Sequence, residues 1–214
     1  TLLSFVFIDG KLNSNSLEKI HSRALSESFE ALTIDGDTSP NDSSLLVASG
    51  NQENLIKKNS SEEKKLEKAV KEIFGELANL LAKDAEGATK RISINVSQAK
   101  SLKQAKSVSF TVAESPLVKT AMFGNDANWG RILSAIGRDP EINDIDKVSI
   151  SINGQPMVKK GNLDPKHSEG LATKAVKKKD IDINIKLGLG KAHFKVLTSD
   201  FSEDYVLINS DYRS

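Results

Sequence analysis

The residue with the most chemistry in this chain is Thr1, which is followed directly by the apolar run Leu2, Leu3, Phe5, Val6, Phe7 and Ile8. A threonine at an amino terminus carries a hydroxyl and a free α-amine on one residue. Such an amine titrates near ~7.7–8.0 in model peptides, so it can take up a proton at neutral pH. A hydroxyl beside that base is an activated nucleophile. The apolar run predicts a buried strand from residue 2, which would hold Thr1 inside the fold. Taken alone, Thr1 leaves two readings open: a nucleophile uncovered by cleavage, or an ordinary trimmed start.

Three polar clusters accompany it. Asp84-Ala85-Glu86-Gly87-Ala88-Thr89-Lys90 sits where a long helix meets a strand, and a carboxylate there can bind a cationic amine or transfer a proton. The same residues also fit a plain helix stop with Gly87 as its cap. The segment from Lys119 to Arg131 holds the only tryptophan, Trp129, and a helix cap at Asp126 or Asn128. The tail from Asn209 to Ser214 is polar and, by itself, reads as a fraying end.

Other chemistries are argued against. The chain has no cysteine, which removes disulfides, thiolate metal sites and cysteine nucleophiles. His21, His167 and His193 are scattered without metal-ligand spacing, so no metal is expected. Gly188-Leu189-Gly190 lacks the strand-to-helix setting of a dinucleotide fingerprint, and Gly36-Asp37-Thr38-Ser39 lacks the lysine of a phosphate loop. A net charge of +1 gives no electrostatic argument for nucleic acid or a membrane surface. No stretch approaches the ~20 apolar residues of a membrane helix, and the start lacks the basic and apolar regions of a signal peptide. A cytoplasmic location is therefore expected.

The elements that must position these residues follow from patterning. The spacing predicts helices at 17–30 with Ser16 as cap, 43–50, 61–82, 98–105, 127–137 and 167–178. Ser60 and Glu63 form a capping-box signature for the longest of these, with Leu66, Val70, Ile73, Phe74, Leu77, Leu80 and Leu81 as its buried stripe. Strands are expected at 2–8, 31–35, around 92–96 and 148–152, at 181–187 and 192–196, and at 205–208. Asn153-Gly154 predicts a two-residue hairpin. The fold class is α/β, or layered α+β, with mixed sheets packed against helices. A domain at 1–155 carrying Thr1 and a smaller β-rich lobe at 156–214 are expected.

Taken together, the segments resemble the ornithine acetyltransferase (glutamate N-acetyltransferase) family of arginine biosynthesis. They are Thr1-Leu2-Leu3-Ser4-Phe5, Thr33-Ile34-Asp35-Gly36-Asp37-Thr38-Ser39-Pro40-Asn41-Asp42, Glu86-Gly87-Ala88-Thr89-Lys90, Leu117-Val118-Lys119-Thr120-Ala121, Asn128-Trp129-Gly130-Arg131-Ile132-Leu133 and Asn209-Ser210-Asp211-Tyr212-Arg213-Ser214. The match runs nearly end to end, in the family's order. Leu2, Ala85 and Pro40 stand where Met, Gly and Thr are common in the family.

The resemblance implies that the chain is the β subunit left by self-cleavage of a precursor, in an amino-terminal-nucleophile-like acetyltransferase fold completed by an α chain. It assigns the nucleophile to Thr1 and substrate contacts to Thr1, Glu86, Asn209 and Ser214. Asp35, Asp37 and Asn41 are given a structural role in a turn. The implied reaction is ping-pong transfer of acetyl from N2-acetyl-L-ornithine to L-glutamate, without a resident cofactor and with acetyl-CoA open as a second donor. The implied assembly is an α2β2 heterotetramer. An amino-terminal nucleophile hydrolase or aminopeptidase, a non-catalytic binding homologue and a paralogue with another acceptor are the alternatives. Because a binding residue cannot sit on a frayed end, the resemblance also predicts that the last strand folds back to the active site.

Overall fold

The computed structural model describes residues 2–212. The chain divides into two compact units, residues 1–31 with 36–78 and residues 32–35 with 79–214. The boundary expected at 155/156 falls instead inside one sheet, because the Asn153-Gly154 turn joins two paired strands there.

In the first unit, β1 (Leu3–Ile8) pairs in parallel with β2 (Ser43–Ala48), from Leu3 opposite Ser43 to Ile8 opposite Ala48. Helix α1 (Ser14–Ser26) lies between them in sequence, and α2 (Ser61–Lys83) follows. Asn13 rather than Ser16 caps α1: its Oδ1 accepts the Ser16 N–H at 2.8 Å. The capping box of α2 forms, with Ser60 Oγ accepting the Glu63 N–H at 3.1 Å. The Glu63 carboxylate reaches back to the Asn59 N–H at 2.5 Å, one residue beyond the usual place.

Val6, Ile20, Ala24, Leu46, Val70 and Phe74 make this unit's core. The helix face that is buried runs through Val70, Phe74, Ala78 and Ala82, while Ile73, Leu80 and Leu81 are exposed. Residues 43–48 were expected as helix and are strand. A short apolar run has no decisive period, and parallel pairing with β1 settles it. The first strand is buried on one face only. Ser4 and Val6 point inward, whereas Leu3, Phe5, Phe7, Leu45 and Val47 lie exposed on the opposite face.

The second unit is built on a six-stranded sheet of order β6-β5-β4-β7-β3-β8. In chain order these are β3 (Arg91–Ala99), β4 (Ser149–Ile152), β5 (Gln155–Lys159), β6 (Asn162–Leu163), β7 (Asp180–Lys186) and β8 (Ala192–Ser199). The central strand β3 runs parallel to β7 and antiparallel to β8. Helices α3 (Leu102–Ala113), α4 (Pro116–Phe123), α5 (Trp129–Arg138) and α6 (Glu169–Val176) contribute Val108, Val112, Val118, Met122, Ile132, Ile136, Ala172 and Val176 to the core built on the sheet.

Asn153 and Gly154 take φ of 47° and 80°, the left-handed pair that a type I′ hairpin needs. The strand expected at 31–35 is a 3-10 turn, Phe29–Ala31, followed by a single bridge from Leu32 to Leu197. The helix expected at 98–105 begins at Leu102, after the last residue of β3. The strand expected at 205–208 is part of a helix, α7 (Glu203–Asp211). Ser202 caps it, accepting the Tyr205 N–H at 3.2 Å, and Glu203 and Asp204 in the first turn suit a helix amino terminus.

Candidate functional site

Glu86 lies in the loop between α2 and β3, and Asn209 lies on the last turns of α7. Their side chains meet: Asn209 Nδ2 donates to Glu86 Oε2 at 3.0 Å and to the Tyr205 carbonyl at 3.0 Å. Both residues are exposed, so the remaining carboxylate lone pairs of Glu86 face solvent. An anionic acceptor oriented by a neutral amide, whose two N–H bonds are both taken, suits an ammonium or other N–H donor on a small ligand. The strand expected in the tail is a helix, and it meets the Glu86 loop through Asn209. Thr1 and Ser214 lie outside the described residues.

Each end of this arrangement is fastened. Gly87 turns the loop at φ +64°, and a Cβ there would sit 2.4 Å from the Tyr205 backbone nitrogen, so only glycine lets α7 approach this closely. Ser202 Oγ donates to the Gly87 carbonyl at 2.5 Å. Tyr205 donates its hydroxyl to Asp35 Oδ2 at 2.8 Å, and its ring stacks on Phe201 with centroids 4.4 Å apart. The structural role expected for Asp35 is thus directed at α7. Asn41 belongs to the first unit, where its N–H donates to Ser39 Oγ at 3.3 Å and its carbonyl accepts from the Ser43 hydroxyl at 3.4 Å.

Behind the loop lie two buried lysines. Lys90 Nζ donates to the Met122 carbonyl, to the Val176 carbonyl at 2.7 Å and to Asn125 Oδ1 at 2.8 Å. Met122 lies in the last turn of α4 and Val176 ends α6, so one ammonium caps two helix carboxy termini, where cations are favoured. Lys119 Nζ donates to Thr198 Oγ1 at 2.8 Å and to the Ser199 carbonyl, and lies 5.1 Å from the centre of the Phe201 ring. Burial pushes the Lys119 ammonium down to about 8, against the opposing pull of Asp200, Asp35 and Glu114. Burial lowers Lys90 as well.

The cluster around the tryptophan is architectural. Asn128 caps α5 by accepting the Arg131 N–H at 3.1 Å, and Arg131 Nη1 donates to the Leu117 carbonyl at 3.0 Å, tying α5 to α4.

Asp42 closes the Thr33–Asp42 segment. Its Oδ1 accepts the Leu2 N–H at 2.7 Å, so it anchors the residue next to Thr1. The Leu2 carbonyl in turn accepts the Ser43 N–H at 2.8 Å. Asp200 carries no local sequence signal, because its hydrogen-bond partners Thr89 and Lys90 lie more than a hundred residues earlier. No group of three or more potential metal ligands occurs among the described residues.

The model of the ArgJ family matches residues 1–214. This chain belongs to the ArgJ family. Proteins named arginine biosynthesis bifunctional protein ArgJ from Bradyrhizobium diazoefficiens and Desulfotalea psychrophila are 40% and 42% identical to it. The matches cover 100% of this chain and 53% and 55% of those proteins. The chain thus spans about half the length of the curated relatives it matches.

The ArgJ crystal structure from Bacillus halodurans superposes with a TM-score of 0.94 at 36% identity, covering 99% of this chain and 100% of that one. The α/β fold with mixed sheets packed by helices is therefore the ArgJ fold. Within it, Glu86 and Asn209 are held as a pair by the loop and helix described above.

Proposed function

We propose that this chain is the β subunit of a glutamate N-acetyltransferase, which moves an acetyl group from N2-acetyl-L-ornithine to L-glutamate. The observation that carries the reading is the end-to-end match to ArgJ proteins, whose name assigns them to arginine biosynthesis. The Glu86–Asn209 pair supports it with a site suited to the charged amino-acid part of such substrates.

In this reading Thr1 Oγ attacks the acetamide carbon while its own α-amine accepts the hydroxyl proton. The C–N bond then breaks, the proton passes to the departing amine, and ornithine leaves an acetyl ester on Thr1. The α-amine of glutamate attacks that ester, N-acetylglutamate departs, and the hydroxyl recovers its proton. Splitting one amide exchange into two steps through an ester is the benefit of covalent catalysis. Glu86, Asn209 and Ser214 bind substrate. No resident cofactor takes part; acetyl-CoA is a candidate second donor, read by glutamate acetylation with acetyl-CoA alone.

The oxyanion that forms needs preorganised donors, which we assign to an α chain supplied by the other half of a longer precursor. Two observations support that partner. The curated relatives are about twice as long as this chain, and β1–β2 is a two-stranded parallel sheet with Phe5 56% and Phe7 73% exposed on its uncovered face. Parallel sheets are ordinarily covered on both faces, and a two-stranded one is marginal alone. The α chain is the occupant we assign to that face, in an α2β2 heterotetramer. Among the described residues no helix is long and apolar enough to cross a membrane, and we place the enzyme in the cytoplasm.

The test is mass spectrometry of the full-length protein incubated with acetylornithine. An acetyl group on Thr1, discharged by glutamate faster than by buffer, is expected. Discharge by water at the same rate would make the chain a hydrolase. A Thr1→Ala precursor that still matures and transfers acetyl would overturn the mechanism.

A further inference from the structure

Asp200 sits between the end of β8 and the start of α7 and is 2% exposed. Its carboxylate takes three donors at the exit of the Glu86 loop. Oδ1 accepts the N–H of Thr89 and of Lys90, each at 2.8 Å, and Oδ2 accepts the Thr89 hydroxyl. The Asp200 N–H returns a bond to the Lys90 carbonyl at 3.2 Å. Two residues later, Ser202 holds the Gly87 carbonyl and caps α7 with the same hydroxyl. One short stretch therefore grips the loop at residues 87, 89 and 90 and launches the helix that carries Asn209.

We infer that Asp200 is a positioning residue for substrate binding: it clasps the Glu86 loop to the start of α7, presenting Glu86 and Asn209 as a preformed pair. The inference rests on the substrate-binding role proposed for Glu86. Asp200 itself is buried behind the loop and touches no substrate. Charge-assisted hydrogen bonds are the strong kind, and three of them from one loop, two from backbone N–H groups and one from the Thr89 hydroxyl, remove the freedom that a surface carboxylate would otherwise lose on binding.

A double-mutant cycle in the full-length, self-processed protein tests this, with Asp200→Ala and Glu86→Ala alone and together. The readout is the concentration dependence of Thr1 acetylation by acetylornithine. Asp200→Ala is expected to raise the half-saturating concentration about 10-fold while the maximal rate stays within about 3-fold. The double variant should bind no worse than Glu86→Ala within about 2-fold, because Asp200 acts through Glu86. Effects that multiply, or a loss confined to the maximal rate, would overturn the proposal.

Asp200→Asn keeps an oxygen for the two backbone donors and should sit between wild type and Asp200→Ala; if the alanine variant does not fold, the cycle is read with asparagine. Amide exchange gives an answer independent of activity. In either variant the Thr89, Lys90 and Tyr205 amides should exchange faster while those of the β3 interior stay protected. Unchanged exchange at those three amides would sink the clasp. Absence of any acetyl adduct in wild type would instead remove the acetyltransferase reading.

Discussion

Asn209 Nδ2 donates to Glu86 Oε2 across 3.0 Å, joining residues 123 positions apart in the chain. The bond leaves Glu86 oriented by a neutral partner, so its charge is not cancelled. Asn209→Ala should therefore weaken binding less than Glu86→Gln does. A neutral hydrogen bond is worth about 0.5–1.5 kcal/mol and a charged one about 1.5–3. Expected rises in half-saturation for acetylornithine are about 2–10-fold for Asn209→Ala and about 10–100-fold for Glu86→Gln. Titration of Thr1 acetylation measures both.

Gly87→Ala tests the close approach of loop and helix. The added methyl would lie 2.4 Å from the Tyr205 nitrogen and 2.9 Å from the Asp204 carbonyl carbon, at a φ of +64°. Strain there is of order 1–3 kcal/mol, and moving α7 is the cheapest relief because none of its residues is buried. The expected outcome is faster protease cleavage within 203–212, with the protection of β3 unchanged in hydrogen exchange.

Lys119 makes stability depend on pH in a known direction. Its folded value of about 8 lies below the ordinary 10.5, so between these the folded chain binds fewer protons than the unfolded one. Stability then rises with pH through that window, and below pH ~8 the cost of burying the ammonium is constant. The full effect is at most about 3 kcal/mol. Denaturant unfolding of wild type and Lys119→Met at pH 7 and pH 10 should show wild type gaining on the variant as pH rises. A gap that stays constant would contradict the burial argument.

Removing the Lys90 ammonium takes one donor each from the Met122 and Val176 carbonyls and from Asn125 Oδ1. Lys90→Met should cost about 2–4 kcal/mol in denaturant unfolding. Lys90→Arg should not restore it, since a planar fork cannot point one nitrogen at three converging oxygens.

Local chemistry was legible wherever the deciding residues were neighbours. Asn153-Gly154 announced its hairpin, Ser60 and Glu63 their helix start, and Asn128 its cap. Elements settled by distant partners were not. Ser43–Ala48 is a strand because β1 lies beside it. Tyr205 to Ile208 has strand-like composition, yet the Ser202 cap and the two acids after it carried a helix signal that could have been read. Glu86 and Asn209 came from the family pattern, because two exposed polar residues in separate segments have no spacing to betray them. Asp42 and Asp200 likewise have partners far along the chain, so no local spacing marks the bonds by which Asp42 holds Leu2 and Asp200 holds Thr89.

The pairing of β3 also sets a timetable for biosynthesis. Its neighbours in the sheet are Asp180–Lys186 and Ala192–Ser199, about 90 to 100 residues further along. At translation rates of about 5–20 residues per second, this strand leaves the ribosome roughly 5–20 s before either partner exists. During that interval Ile92, Ile94 and Val96, which end as fully buried as any residues in the protein, have no sheet to join. The second unit therefore condenses only after residues 180–199 have been made, and nascent chains stalled before residue 180 are the species that chaperones should meet most often.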